Sequence, residues 1–390
     1  MIIILDKPYI SDFFRETIRR NAFPVLKNEF ALQSGLDCSY NLIDDENAAK
    51  DLNLKENQFV YMPTENSIGW VMEHLKSTRL PGLIRLFKDK VQSRKLMESL
   101  FPEYYFRQVD LSELDALDIT QIPKPFIIKP AVGFCSFAVC KVVTAADWEP
   151  AKQEIKHSLE TAKSIYPADV LDFDSFILEE FIEGDEFAFD ACYNQDGKPV
   201  IFSAYKHVFA SKNDVSDRLY ITSADIVRKY QPVFTEFLEK LGKLVKLKNF
   251  PLHAEVRIDS AGRLLPIEIN PMRFGGMCTT ADLASNAYGY NLYEYCFGQK
   301  EPVWEELLKG REDHIYGMVM LNNSTGVEPG KIKGFDYDGL VKQFECVLET
   351  RRINHREFHF FGFVFIKSRK DNHRELEWIL RSDLRDFITI

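Results

Sequence analysis

Residues 251–276 read PLHAEVRIDSAGRLLPIEINPMRFGG. The stretch has the pattern of two short strands joined by a tight turn. Leu252, Ala254, Val256 and Ile258 alternate with His253, Glu255, Arg257 and Asp259. A period of two sends one row into a core and the other onto an open face. After Ala261-Gly262 the alternation resumes, with Leu265, Ile267 and Ile269 on one side and Pro266, Glu268 and Asn270 on the other. An even-numbered loop centred on Ala261-Gly262 sets Glu255 opposite Glu268 and His253 opposite Asn270. Two carboxylates facing across a strand pair repel. A hard cation between them turns that repulsion into attraction, and Glu and Asn oxygens suit magnesium. Taken alone, the pattern also describes a half-exposed hairpin with solvated acids.

At 390 residues the chain is long for one core and suggests two or three domains. A hydrophobic fraction of 45% and a charged fraction of 28% are those of an ordinary globular protein. The net charge is −10, and no Lys/Arg block stands out, which argues against a nucleic-acid or acidic-membrane partner. The seven cysteines include no CxxC pair, so neither a disulfide framework nor a zinc site is expected. A reducing, cytoplasmic setting follows. The opening MIIIL is broken at once by Asp6 and Lys7, too short for a signal peptide, and no later run is long enough to span a membrane.

In chain order, residues 1–88 alternate strand and helix. Ile2–Leu5 and Gln58–Met62 are expected strands, and Ser11-Asp12 caps a helix. A small α/β domain with parallel strands is the expectation, without a GxGxxG site. Lys90 opens a helix running to about Leu100. Phe126–Ile128 enters Lys129-Pro130, a small-residue loop follows at 131–136, and Phe137–Val143 returns as a strand. Such a loop can fold its backbone N–H groups over phosphates, and it can equally be an ordinary hairpin. After a helix at about Ala145–Ser164 comes SFILEEFIEGDEFAFD, residues 175–190. Lys198–His207 is an expected strand after the turn Asn194-Gln195-Asp196-Gly197. Two helices, Ile226–Tyr230 and Val233–Leu247, lead into the hairpin. Beyond it, His314–Asn322 and Phe358–Lys367 are expected strands and Glu375–Phe387 an amphipathic helix.

The ordered set is Asp89-Lys90 opening a helix, FIIKP before a small-residue loop, LEEFIEGDE, HAEV, then EIN followed by an arginine. It resembles the ATP-grasp superfamily, which includes D-alanine–D-alanine ligase, biotin carboxylase and the L-amino acid ligases. The resemblance covers roughly residues 89–300. It implies a mixed α/β and α+β architecture. An N-terminal α/β domain occupies 1–88, an ATP-grasp core 89–300 with a mobile lid subdomain at about 123–185, and a C-terminal α+β extension 301–390.

The resemblance also implies roles. Lys90 and Lys129 contact nucleotide phosphates, and the 131–136 loop closes over them with Ser136 as a hydroxyl contact. In Glu179–Ile182, which matches the family's interdomain hinge, Glu179 takes the adenine amino group, and the backbone near Phe181 and Ile182 takes the ring. Glu186 binds the ribose hydroxyls. Glu255, Glu268 and Asn270 hold two Mg²⁺ ions, with Mn²⁺ as a substitute. Arg273 stabilises the transferring phosphoryl group or orients a carboxylate. The expected cofactors are ATP and Mg²⁺, and the expected partners a small-molecule carboxylate and an amine; a homo-oligomer is compatible. The implied chemistry is ADP-forming ligation through an acyl phosphate. Bicarbonate activation, a small-molecule kinase and a non-catalytic nucleotide-binding protein are the alternatives. Lys206, His207, Lys212 and Arg218 are further candidates to touch substrate. Two departures stand out: the loop at 131–136 carries a single glycine, Gly133, and Met272 precedes Arg273.

Overall fold

A computed structural model describes every residue except 55, 134–137, 163–173, 212, 213, 215 and 359. The N-terminal strands form a four-stranded sheet in the order Leu42–Ile43, Val25–Leu26, Ile2–Ile3, Val60–Tyr61. All its pairings are parallel, as the alternation of short apolar runs with helices requires. Ser11 caps the helix Asp12–Asn21 by accepting the Phe14 N–H. Phe14 and Ile18 on that helix bury their side chains under the sheet with Ile3 and Val60.

A second four-stranded sheet is antiparallel and built from Phe106–Asp110, Ser175–Glu180, Phe126–Pro130 and Cys140–Val142. It has its own core, where Phe126, Ile128, Val142 and Phe176 pack against Trp148 and Ile155 of the helix Trp148–Ala162. The strand Phe106–Asp110 is absent from the sequence reading because its exposed Arg107 and Gln108 hide the period-two signal.

The third sheet is nine-stranded and carries the opening hairpin at one edge. Eight strands run in the order Leu264–Pro271, Phe250–Ile258, Asp185–Tyr193, Tyr205–Val208, Leu219–Ser223, His314–Asn322, Phe360–Arg369, Val347–Arg352, and the ninth, Pro199–Ile201, pairs with Asp185–Tyr193 off that path. The C-terminal strands His314–Asn322, Val347–Arg352 and Phe360–Arg369 therefore continue the same sheet, while Gly334–Phe335 and Ile388–Thr389 pair as a separate two-stranded sheet. Phe360, Phe361 and Phe363 are core residues, as their clustering suggests.

Several boundaries differ from expectation. Lys198–His207 is two strands, Pro199–Ile201 and Tyr205–Val208. The chain breaks between them because the Phe202 and Ser203 N–H groups turn to the Asp190 carbonyl. The two helices before the hairpin are one, Ala224–Val245, with Pro232 inside it. A proline forfeits one hydrogen bond there, while Val227, Phe234, Leu238 and Leu241 on both sides of it bury into one core. Among the described residues no helix is long and apolar enough to cross a membrane.

Candidate nucleotide and metal site

The hairpin Phe250–Ile258 and Leu264–Pro271 pairs Glu255 with Glu268 and His253 with Asn270. That register is the expected one, reached by a different route. The loop is odd-numbered: Asp259 N–H donates to the Arg263 carbonyl and Gly262 N–H to the Asp259 carbonyl. Gly262 takes φ +81°, the left-handed conformation that closes a three-residue hairpin loop. Val256 then faces Pro266, one residue out of step, and a bulge between Glu255 and Val256 restores the pairing of the two acids.

Around this pair, Glu65, Glu179 and Glu186 each have a cation of their own. Glu179 lies in the four-stranded antiparallel sheet with Lys129 Nζ 2.7 Å from Oε1 and Arg94 Nε 2.7 Å from Oε2. Arg94 also donates Nη2–H to the Ile267 carbonyl at 3.0 Å, beside the bulge. Glu65, from the turn after the strand Val60–Tyr61, accepts from Arg273 Nε at 3.2 Å and Nη2 at 3.0 Å, and its other oxygen pairs with Lys88. Burial acts against the charge on both acids, and the neighbouring cations outweigh it, holding Glu65 and Glu179 at about 2. Glu186 is held between His207 Nδ1 at 2.8 Å and Arg257 Nη2 at 2.9 Å.

Glu255 and Glu268 have weaker company. Glu268 lies 3.4 Å from Lys90 Nζ, and Glu255 only 3.8 Å from His253 Nε2. Burial and then Glu268, Glu186 and Asp217 push the Glu255 carboxyl well up. Burial opposes the charge on Glu268 too, but Lys90 and Lys88 prevail and lower it. The pair thus resists carrying two negative charges unaided. Asn270 is buried beside it. Behind it, His253 Nδ1 is 2.8 Å from Asp190, which also accepts from Ser203 Oγ and the Gly275 N–H. That network fixes the ring whose other nitrogen faces Glu255.

The predicted residues fall into three groups. Lys90, Lys129, Glu179, Glu255, Glu268, Asn270 and Arg273 converge around the hairpin. Lys90 is further held by its Nζ contact to the Gly133 carbonyl, 3.4 Å. Glu186, Phe181 and Ile182 gather at the connection between the strands Ser175–Glu180 and Asp185–Tyr193, where Arg257 donates to the Ile182 carbonyl at 2.8 Å and stacks 4.9 Å over the Phe181 ring. Lys141 Nζ lies 3.6 Å from the centroid of that ring. Gly184, at φ +118°, lets this connection approach the hairpin; a Cβ there would sit 2.2 Å from the Ile258 carbonyl oxygen. Ser136 lies outside the described residues, as does Lys212.

Two assignments look different in three dimensions. The carboxylate of Glu179, expected at the adenine, braces Lys129 and Arg94. That of Glu186, expected at the ribose, is shared by His207 and Arg257. Of the substrate candidates, Lys206 pairs with Asp185, and Arg218 is buried against Ser324 with Nη1 unpartnered among the described residues. Residues that the sequence reading misses are Glu65, Lys88, Arg94 and Arg257. Arg94 is four residues past Lys90, one turn along the same helix face, which is a usable signal. Glu65 has none, because its partner is 208 residues away.

Residues 122–281 match the family model of the ATP-grasp domain. No curated protein matches the chain. In solved structures, the chain is similar to an L-amino acid ligase from Bacillus licheniformis, with 17% identity, TM-score 0.66, and coverage of 99% of this chain and 97% of that one. An N5-carboxyaminoimidazole ribonucleotide synthetase from Thermotoga maritima matches with 15% identity and TM-score 0.63 over 100% and 98% of the two chains. A biotin carboxylase from Campylobacter jejuni, in a beta-gamma-ATP complex, matches with 11% identity and TM-score 0.61 over 94% and 87%. At these identities the likeness is one of fold. Residues 122–281 thus match an ATP-grasp domain, and the chain as a whole shares the fold of these solved structures.

Proposed function

We propose that the protein is an ATP- and Mg²⁺-dependent, ADP-forming ligase that activates a small-molecule carboxylate as an acyl phosphate for attack by an amine. The observation that carries this is the contrast among the buried and half-buried acids around the hairpin. Glu65, Glu179 and Glu186 are paired with arginine, lysine or histidine at 3.0 Å or less, whereas Glu255 and Glu268 face each other with no cation among the described residues closer than 3.4 Å. Among the described residues no three His, Cys, Asp or Glu side chains converge to hold a metal. Two carboxylates and an amide are too few for a closed cage. They fit a cation that arrives with phosphate oxygens, the usual situation for Mg²⁺.

Magnesium there would draw negative charge from the phosphates and leave the γ-phosphorus open to an oxygen nucleophile. Lys90 and Lys129 supply positive charge to the phosphate chain from the helix and the lid sheet. Glu179 and Arg94 hold Lys129 in place. Arg257 and Lys141 fix the Phe181 ring at the hinge where a base would lie. Arg273 presents its remaining donors to the transferring group. A substrate carboxylate oxygen bonds to the γ-phosphorus as the bond to the ADP oxygen breaks. The amine nitrogen then bonds to the acyl carbon, inorganic phosphate leaves, and the amine loses a proton. Activation is required because a free carboxylate is a poor electrophile, and water must be kept from the acyl phosphate. The L-amino acid ligase of similar fold supports the choice of carboxylate and amine.

The test is purified protein with ATP, Mg²⁺ and a panel of amino acids and other carboxylic acids. Substrate-dependent release of ADP and phosphate with an amide product by mass is expected. ADP with a stable phosphorylated product would make the protein a kinase instead. Absence of nucleotide binding would end this reading.

A further inference from the structure

Glu65 belongs to the N-terminal α/β unit, yet its carboxylate ends beside the hairpin. Its Oε1 takes Arg273 along the Nε/Nη2 edge, at 3.2 and 3.0 Å. Its Oε2 takes Lys88, which is anchored on the helix Leu80–Lys88. Arg273 Nη1 donates to the Phe274 carbonyl at 3.0 Å. Three of the five guanidinium N–H groups are thus committed, and the rest lie in the field of Glu255 and Glu268.

The backbone at this point is held from the same side. Met62 N–H donates to the Met272 carbonyl at 2.8 Å, and Met272 N–H to the Pro251 carbonyl at 2.8 Å. Met272 itself takes φ +64°. This left-handed residue ends the run of the strand and redirects the chain into Arg273. The N-terminal unit therefore grips Arg273 twice, once through the main chain and once through the guanidinium. A buried ion pair contributes little net stability once desolvation is counted. Its effect here is directional: a planar fork fixed along one edge can turn only its opposite edge to a ligand.

We propose that Glu65 is a positioning residue that aims the free edge of Arg273 at the γ-phosphoryl group, so that the N-terminal unit is a working part of the phosphoryl-transfer site. This rests on the reading of the site as a nucleotide centre. The consequence is discrimination between ATP and ADP. Both nucleotides reach Lys129 and the hinge, but only ATP places a phosphoryl group in front of Arg273.

Calorimetric binding of Mg²⁺-ATP and Mg²⁺-ADP to the full chain, with melting temperature as a fold control, tests this. Arg273→Met is expected to weaken ATP about tenfold or more while ADP stays within about twofold. Glu65→Gln is expected to shift ATP in the same direction by a smaller factor. In the Arg273→Met background, Glu65→Gln should add nothing further. Should Glu65→Gln fail to fold, Glu65→Asp keeps the charge and draws it back by one methylene, with the same expected direction. Equal loss of ATP and ADP affinity in the Glu65 variant, or an undiminished effect in the double variant, would overturn the positioning role. If the wild-type protein binds neither nucleotide, the nucleotide reading falls first and this role with it.

Discussion

Two sets of buried or half-buried carboxylates lie within one site and behave in opposite ways. In the four-stranded antiparallel sheet and at the junction with the N-terminal unit, Glu179 and Glu65 each bridge an arginine and a lysine, and their carboxyls are held at about 2. Burial opposes their charge, and the fixed cations more than offset it. On the hairpin, Glu255 and Glu268 are turned toward each other, and burial and mutual repulsion push Glu255 well up. The first set is complete as folded and uses its charge to hold Lys129, Arg94 and Arg273 in place. The second is incomplete as folded and gains from a cation that comes with a ligand. The difference teaches which acids are scaffold and which are site: a carboxylate that already has its cation is structural, and one that repels its neighbour is waiting for charge.

The largest test of that division is at the hairpin. Glu268→Ala is expected to cut Mg²⁺-dependent turnover, read as ADP release, by on the order of 100-fold or more, with no loss in melting temperature. Normal turnover in a folded Glu268→Ala protein would remove the metal assignment. Next in size is the paired set. Glu179→Ala leaves Arg94 and Lys129 buried without a counter-charge, which should cost about 3–5 kcal/mol in chemical denaturation. A loss below about 1 kcal/mol would mean that Glu179 is no scaffold. Acidity separates the two sets by a smaller margin. The paired acids are depressed, so the stability they contribute is present above about pH 4.3 and is lost as pH falls toward 2. Glu255 is raised, so its protonation favours the folded state, and rising pH removes that contribution. Protons therefore compete with Mg²⁺ at the hairpin, and Mg²⁺-nucleotide affinity should weaken as pH falls through the raised Glu255 value. A Glu255→Gln protein should lose that pH dependence; if it keeps the wild-type profile, another group is titrating.

Much of the site is legible as local pattern. The alternation of Leu252, Ala254, Val256 and Ile258 with polar residues places Glu255 on an open face, and those four side chains are buried. The pairing of Glu255 with Glu268 is legible even though the loop parity is not. A bulge shifts the register by one residue, and no simple period marks where it falls. The strand split at Phe202 escapes because its cause is distant: Asp190 draws off the N–H groups of residues 202 and 203. The helix through Pro232 escapes because tertiary burial on both sides outweighs one lost hydrogen bond.

By itself, the sequence determined what short range can encode. Parallel N-terminal strands, the capped helix after Ser11, the hairpin acids and the order of the motifs all depend on spacings of a few residues. Tertiary structure alone decided which charges meet. Glu65 finds Arg273 across 208 residues and Arg94 finds Glu179 across 85. Such pairs are set by how sheets and helices pack, and charge carries no periodic signal that names its partner. The hairpin's two glutamates can be read as neighbours from one turn of chain. That they lack a close cation of their own becomes visible only beside Glu65, Glu179 and Glu186, each seen with its partner in place.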